Sequence, residues 1–141
     1  MLLEKKVLSL ELAKKMAEAA ERKAVELGLK IVIAIVDDGG NLKAFRRMDG
    51  TSMGSISVSQ LKAGTSAKFP LSTKEMAERN LKYAGGPYGG GAIPGIVLLE
   101  GGLPILTKDR QHLGGIGVSG ATPELDAQCA AAGIEAIRNW L

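Results

Sequence analysis

The sequence predicts an α+β fold, a five-stranded antiparallel sheet packed with helices in the order α-β-β-α-α-β-β-β-α. Three observations carry that expectation. Short turn-forming segments at 37–41, 100–102 and 108–111 separate apolar runs, and connections this short join antiparallel strands. Helical periodicities lie outside those runs, so helices and strands are segregated rather than alternating one by one. The run KIVIAIV at 30–36 is apolar on both faces, the pattern of a strand covered on both sides by helices or by a partner chain.

Each element has its own local signals. Ser9 is placed to cap a first helix, in which Leu12, Met16, Ala19, Ala20, Ala24 and Leu27 recur at spacings of three and four before Gly28. Asp37-Asp38-Gly39-Gly40-Asn41 makes the turn from strand 30–36 to a second strand at 42–48, which Asp49-Gly50 ends. Arg47 and Asp49 there suit a structural turn or a subunit ion pair. A second helix over 52–69 would bury Val58, Leu61, Thr65 and Phe69, with Pro70 just beyond it. Its neighbouring face carries Ser55, Ser59, Lys62 and Ser66, either a solvated stripe or one facing a ligand, with Lys62 meeting an anion. Ser72 and Glu75 form the capping box of a short third helix ending near Tyr83.

The segment GGPYGGGAIPG at 85–95 has too many glycines and prolines for regular structure. Ile96–Leu99 and Leu103–Leu106 are the next expected strands, the second assigned to a sheet edge by Pro104. The strand LGGIGVS at 113–119 follows; Gly114, Ile116 and Val118 share one face, and Gly115, Gly117 and Ser119 the other. That second face is nearly bare backbone, suited to a ligand pocket or to a closely packed helix. Gly115, Gly117 and Gly120 spell GxGxxG, but no full strand precedes them and no acid ends a following strand, so a dinucleotide site is not expected. Thr122 can cap the last helix, Pro123 suits its first position, and Leu125, Cys129, Ala132, Ala136 and Trp140 form its apolar stripe.

The chain of 141 residues, 45% apolar and 23% charged, has the composition of one globular domain spanning 1–141. A net charge of +3 and pI near 9.1 are mildly basic. The cations are dispersed and only 4% of residues are aromatic, which argues against a nucleic-acid partner. Cys129, the one cysteine, leaves no internal disulfide and no cysteine-rich metal site. No stretch has the length of a signal peptide or membrane span, so a cytoplasmic protein without a membrane partner is expected.

Several blocks in order, VDDGGNLKAFRRMDG, SQLKAGTSAKF, IPGIVLLEGGLPI and LGGIGVSGATPELDAQCAAAG, resemble the GlcG/HbpS family. That family also takes in the C-terminal domain of PduO-type corrinoid adenosyltransferases. The resemblance implies a profilin-like α+β domain that forms homo-oligomers. It also implies binding of haem, with degradation in some members, while others accompany small-molecule catabolic enzymes. A histidine ligand to haem iron is implied too. Here that would be His112, at the start of the glycine strand, where a surface or hairpin histidine is the simpler reading. Met16, Tyr88 and Cys129 are the other side chains able to ligate iron.

Three functions follow as expectations: a small-ligand-binding protein with haem or another tetrapyrrole as ligand, a protein acting on a small carboxylated metabolite, or an oligomeric assembly module. The candidate binding residues are Lys62, Gly89, Gly90, Gly91, Gly115, Gly117, Ser119 and Thr122, where the glycine loop, the bare strand face and the start of the last helix would meet an anion. Lys62 and Asp126 are the candidates for catalysis. No Ser-His-Asp arrangement, nucleophile elbow or metal-binding helix motif is legible.

Overall fold

The computed structural model describes residues 1–83, 89 and 93–141. Among the described residues the elements are, in chain order, α1 (Leu10–Glu26), β1 (Val32–Asp37), β2 (Leu42–Arg47), α2 (Gly54–Lys68), α3 (Thr73–Tyr83), β3 (Gly102–Leu106), β4 (His112–Ser119) and α4 (Pro123–Ala136), followed by a 3₁₀ turn at Arg138–Trp140. The sheet has four strands, all antiparallel, in the order β2-β1-β4-β3. The caps form where the sequence places them. The Ser9 hydroxyl accepts from Leu12 N–H, the Ser72 hydroxyl from Glu75 N–H and the Thr122 hydroxyl from Leu125 N–H.

The expected fifth strand is absent, so the order is α-β-β-α-α-β-β-α. Residues 96–99 join no strand ladder. Val97 N–H instead donates to the Thr65 hydroxyl of α2 at 3.0 Å. A four-residue apolar run can be satisfied by packing on a helix as well as by a sheet, and periodicity cannot distinguish the two. β3 is an edge strand, as Pro104 predicts, since among the described residues it pairs only with β4.

Helices of the chain pack on both faces of the sheet. On one side α1 and α4 enclose the main core, with Met16, Ile33, Ile35, Ile105, Ile116, Val118, Cys129 and Ile137 buried together. On the other side Ala63 and Ala67 of α2 meet Ala34 and Val36 of β1. The two apolar faces of β1 are thus both used inside one chain.

Two helical faces differ from expectation. In α2 the buried residues are Ser55, Ser59, Lys62, Ala63, Thr65, Ser66 and Ala67, while Leu61 and Phe69 are exposed and Val58 is half-buried. The cause is the strand beneath. A Cβ on Gly117 would collide with the backbone of Ser59 and Ala63, and one on Gly115 with the carbonyl of Ala63. Helix backbone therefore rests on strand backbone, and only small side chains, or a lysine that can extend away, fit the contact. In α4 the buried stripe is Asp126, Cys129, Ala130 and Gly133, continued by Ile137; of the expected Leu125-Cys129-Ala132-Ala136-Trp140 set Cys129 alone is in it. Gly133 sets that rotation: a Cβ there would lie 2.8 Å from Ile116 Cδ1 and 3.0 Å from the Met16 carbonyl. Trp140 is left outside, with Lys15 Nζ 5.8 Å from its ring centroid.

These contacts separate two kinds of glycine on facing elements. Gly117→Ala forces α2 off the sheet and is expected to destabilise the protein by about 3 kcal/mol, the upper end for overpacking. Gly64 of α2 has open space around it. Gly64→Ala is expected to stabilise by about 0.5–1 kcal/mol through helix propensity. Urea denaturation of the two variants, compared with the unmodified chain, checks the opposite signs.

Candidate functional site

Lys62 and Asp126, 64 residues apart in sequence, form a buried ion pair with Nζ–Oδ2 at 3.0 Å. Each side chain is only 3% exposed. Lys62 leaves α2 beside β4, donates to the Val118 carbonyl at 2.8 Å, and reaches the first turn of α4. The second carboxylate oxygen of Asp126 accepts from Ala121 N–H at 2.9 Å. Gly101 closes the remaining side. A Cβ at that position would lie 2.7 Å from Lys62 Nζ and 3.0 Å from Asp126 Cβ, and its φ of +131° favours glycine as well. Burial pushes the Asp126 carboxyl above its ordinary range, against the opposing pull of Ala121 N–H and of Lys62. The pair is enclosed and its hydrogen bonds are internal, so neither group is presented to solvent as an acid, a base or an anion receptor.

The other candidates are dispersed. Gly115 and Gly117 lie under α2, and Ser119 is buried at the end of β4 opposite Val32. Thr122 is exposed, its hydroxyl engaged as the α4 cap. Gly89 is half-buried in a bend, whereas Gly90, Gly91 and Tyr88 lie outside the described residues. Arg47 and Asp49 line a surface cleft of about 480 Å³ together with Lys30 and Glu21.

His112 is half-buried and belongs to β4 itself, one residue earlier than the predicted strand start. The β3–β4 register shifts between Ile105 and Leu106, so Leu113 joins the main core while His112 turns toward the end of α2. Its Nε2 bonds the Ala67 carbonyl, which can only accept, so Nε2 carries the proton. Nδ1 is buried and, among the described residues, has no partner, as is true of the Ser66 hydroxyl. Nothing in the sequence signalled the register shift that sets this orientation.

The described candidates do not fit iron ligation. Nε2 of His112 is committed to a backbone carbonyl, and Nδ1 is buried. Met16 is fully buried in the main core. Cys129 is buried as well, and burial pushes its thiol up to about 11, far from the thiolate that binds metal. No group of three or more His, Cys, Asp or Glu side chains able to hold a metal ion occurs among the described residues. No helix among them is long and apolar enough to cross a membrane.

The family described as haem degrading protein HbpS-like matches residues 8–135. The chain belongs to the HbpS-like family. Protein GlcG of Escherichia coli is 36% identical over 115 residues, 82% of this chain and 83% of GlcG. An HbpS double mutant from Streptomyces reticuli superposes with a TM-score of 0.86 at 36% identity, covering 95% of this chain and 89% of that one. A PduOC:heme complex superposes with a TM-score of 0.83 at 27% identity, over 94% of this chain and 96% of that one. Corrinoid adenosyltransferase PduO of Citrobacter freundii is 30% identical over 131 residues, which span 92% of this chain and 39% of PduO. The relation to the PduO C-terminal domain is thereby established at the level of fold and sequence.

Breaking the Lys62–Asp126 pair strands a buried charge, which costs about 3–5 kcal/mol. Lys62→Met is expected to lose that much near neutral pH and less in mild acid, where the isolated Asp126 carboxyl takes up a proton. In the unmodified chain the folded-state value of Asp126 is raised above the ordinary value of 3.8. The native state therefore holds the proton more tightly than the unfolded one. Stability relative to Asp126→Asn then falls as pH rises from just below the ordinary value through the raised one. Thermal denaturation of the three proteins across that interval checks both signs.

Proposed function

We propose that this chain is a small-ligand-binding protein whose ligand is haem or a closely related tetrapyrrole. The observation that carries the reading is its likeness, over 94% of its length, to a PduO C-terminal domain in complex with heme. The enclosed Lys62–Asp126 pair supports binding over acid–base chemistry on a carboxylated metabolite. Its cation, the group such a metabolite would need, is already satisfied by Asp126 and Val118. In this reading tetrapyrrole recognition runs through surface contacts of the ring and its carboxylates, and His112 is a structural residue holding the end of α2. A cytoplasmic location accords with the reading. Self-association with further copies of the chain also belongs to it. Both faces of β1 are covered internally, so the support for self-association comes from exposed apolar side chains such as Leu81, Ile93 and Leu99.

Hemin titration of the purified protein, followed by absorbance, tests the proposal, with His112→Ala alongside. A saturable Soret band that survives in His112→Ala is expected. Absence of the band in the unmodified protein overturns the ligand assignment. A band lost in the mutant assigns iron ligation to His112 and overturns recognition without it.

A further inference from the structure

Resting on the tetrapyrrole reading, we infer that the ligand seats on a ledge formed by the uncovered face of β2 and the adjoining flank of α2, held by Phe45 and Arg47 without an axial ligand from His112. The sheet register places this surface. Val32, Ala34 and Val36 share the α2-side face of β1, and their partners on β2 are Arg47, Phe45 and, across a register shift between Ile35 and Val36 that skips Lys43, Leu42. Across β1 the same three rows continue to Ser119, Gly117 and Gly115 of β4. Gly117 lies under the Ser59–Ala63 turn of α2 and Gly115 under the Ala63–Ala67 turn. Helical spacing carries the flank turned toward β2 through Ile56, Gln60 and Gly64, on the side of Ala63 and Ala67. Phe45 therefore lies level with Gln60, Arg47 with Ile56, and Leu42 with Gly64.

A helix is about 10 Å across and neighbouring strands are about 4.8 Å apart, so one helix centred on β4 and β1 does not reach over β2. The exposures agree: Leu42 is 52% exposed and Phe45 37%, and Met53, one turn before Ile56, is 82% exposed. The opposite face of β2 is covered. There α1 packs on Ala44, and Arg46 is paired with Glu18 and Glu21. Gly64, with open space around it, leaves the wall of the ledge flat.

Charge selects the occupant. Lys43 and Arg47 form no ion pair among the described residues, in contrast to Arg46. An apolar floor of Leu42 and Phe45 flanked by two unneutralised cations is complementary to a planar apolar ring bearing carboxylates, with Arg47 suited to a bidentate contact. A second copy of β2 pairing along this edge would bring Lys43, Arg46 and Arg47 against like charges, which disfavours that occupant.

The test is titration of the whole protein with hemin, by absorbance, and with metal-free protoporphyrin, by its fluorescence. Phe45→Ser, Arg47→Glu and, as a distant control for the same charge change, Lys108→Glu are titrated alongside, with folding checked by circular dichroism and mass by sedimentation. Hemin and protoporphyrin are expected to bind the unmodified chain comparably. Phe45→Ser and Arg47→Glu each weaken both by about tenfold, while Lys108→Glu leaves both unchanged. If the unmodified chain binds but both ledge variants bind equally well, the ledge is overturned and the tetrapyrrole reading stands. Binding of hemin alone shows iron ligation and overturns the ledge as the seat of recognition. Neither ligand binding overturns the function and the ledge together. Ledge variants that change the mass of the assembly without changing ligand binding assign the surface to contact between copies, which also overturns the inference.

Discussion

The rest of the structure depends on the direct seating of α2 on the glycine face of β4. Removing side chains at Gly115 and Gly117 brings helix backbone against strand backbone, with Ser59, Lys62, Ala63 and Ala67 as the close neighbours. Lys62 cannot be accommodated in the contact as a compact group. It runs past the strand to the Val118 carbonyl and Asp126, so the same constraint that selects glycine in β4 also fixes where the one buried lysine goes. Gly101 and the first turn of α4 are then determined in turn, because they enclose that ammonium. A close backbone contact on one face of the sheet is thereby coupled to a helix start on the other.

Much of the fold was legible because its signals are local. Ser9, Ser72 and Thr122 act as caps wherever a helix starts, the Asp37–Asn41 turn makes its hairpin from short-range hydrogen bonds, and Pro104 marks an edge because proline has no N–H to donate. The alternation of Gly115 and Gly117 against Ile116 and Val118 was legible for the same reason. What escaped depends on distant partners. Hydrophobicity assigns Leu61 and Phe69 of α2 to the core and leaves Ser59 and Ser66 on a stripe facing solvent or a ligand, but the contact with β4 selects by size, and the helix is rotated accordingly. The Leu125 stripe of α4 fails similarly, because Gly133 has to face Ile116 and Met16. The run at 96–99 is apolar enough for a strand, yet its Val97 N–H is taken by Thr65.

The candidate site divides along the same line. The sequence brings Lys62, Asp126 and the glycine strand to one region, and the structure does place the first two in contact. Their chemistry differs from the expected one because a sequence shows which charges exist but not which of them neutralise each other. An exposed lysine near a helix start attracts anions; one that is buried at 3.0 Å from a carboxylate has its counterion already. His112 is a comparable case. Its availability is decided by a one-residue register shift in the β3–β4 pair, which hands Nε2 to the Ala67 carbonyl.

Glycine contacts close the seam between α2 and β4, and the buried Lys62–Asp126 pair is internally satisfied. The outside is shaped by the same constraint. A helix drawn down onto β4 by missing side chains sits low and narrow, so its cover ends at β1. On the other face α1 and α4 pack through Met16, Ile33, Ile35 and Ile116, and two helices standing on full-sized side chains cover the sheet as far as β2. β2 is therefore buried on one face and open on the other, and an aromatic and two unpaired cations lie on or beside the open one. The glycines that look like a binding motif in the sequence seat a helix: by lowering α2 they leave Phe45 and Arg47 uncovered.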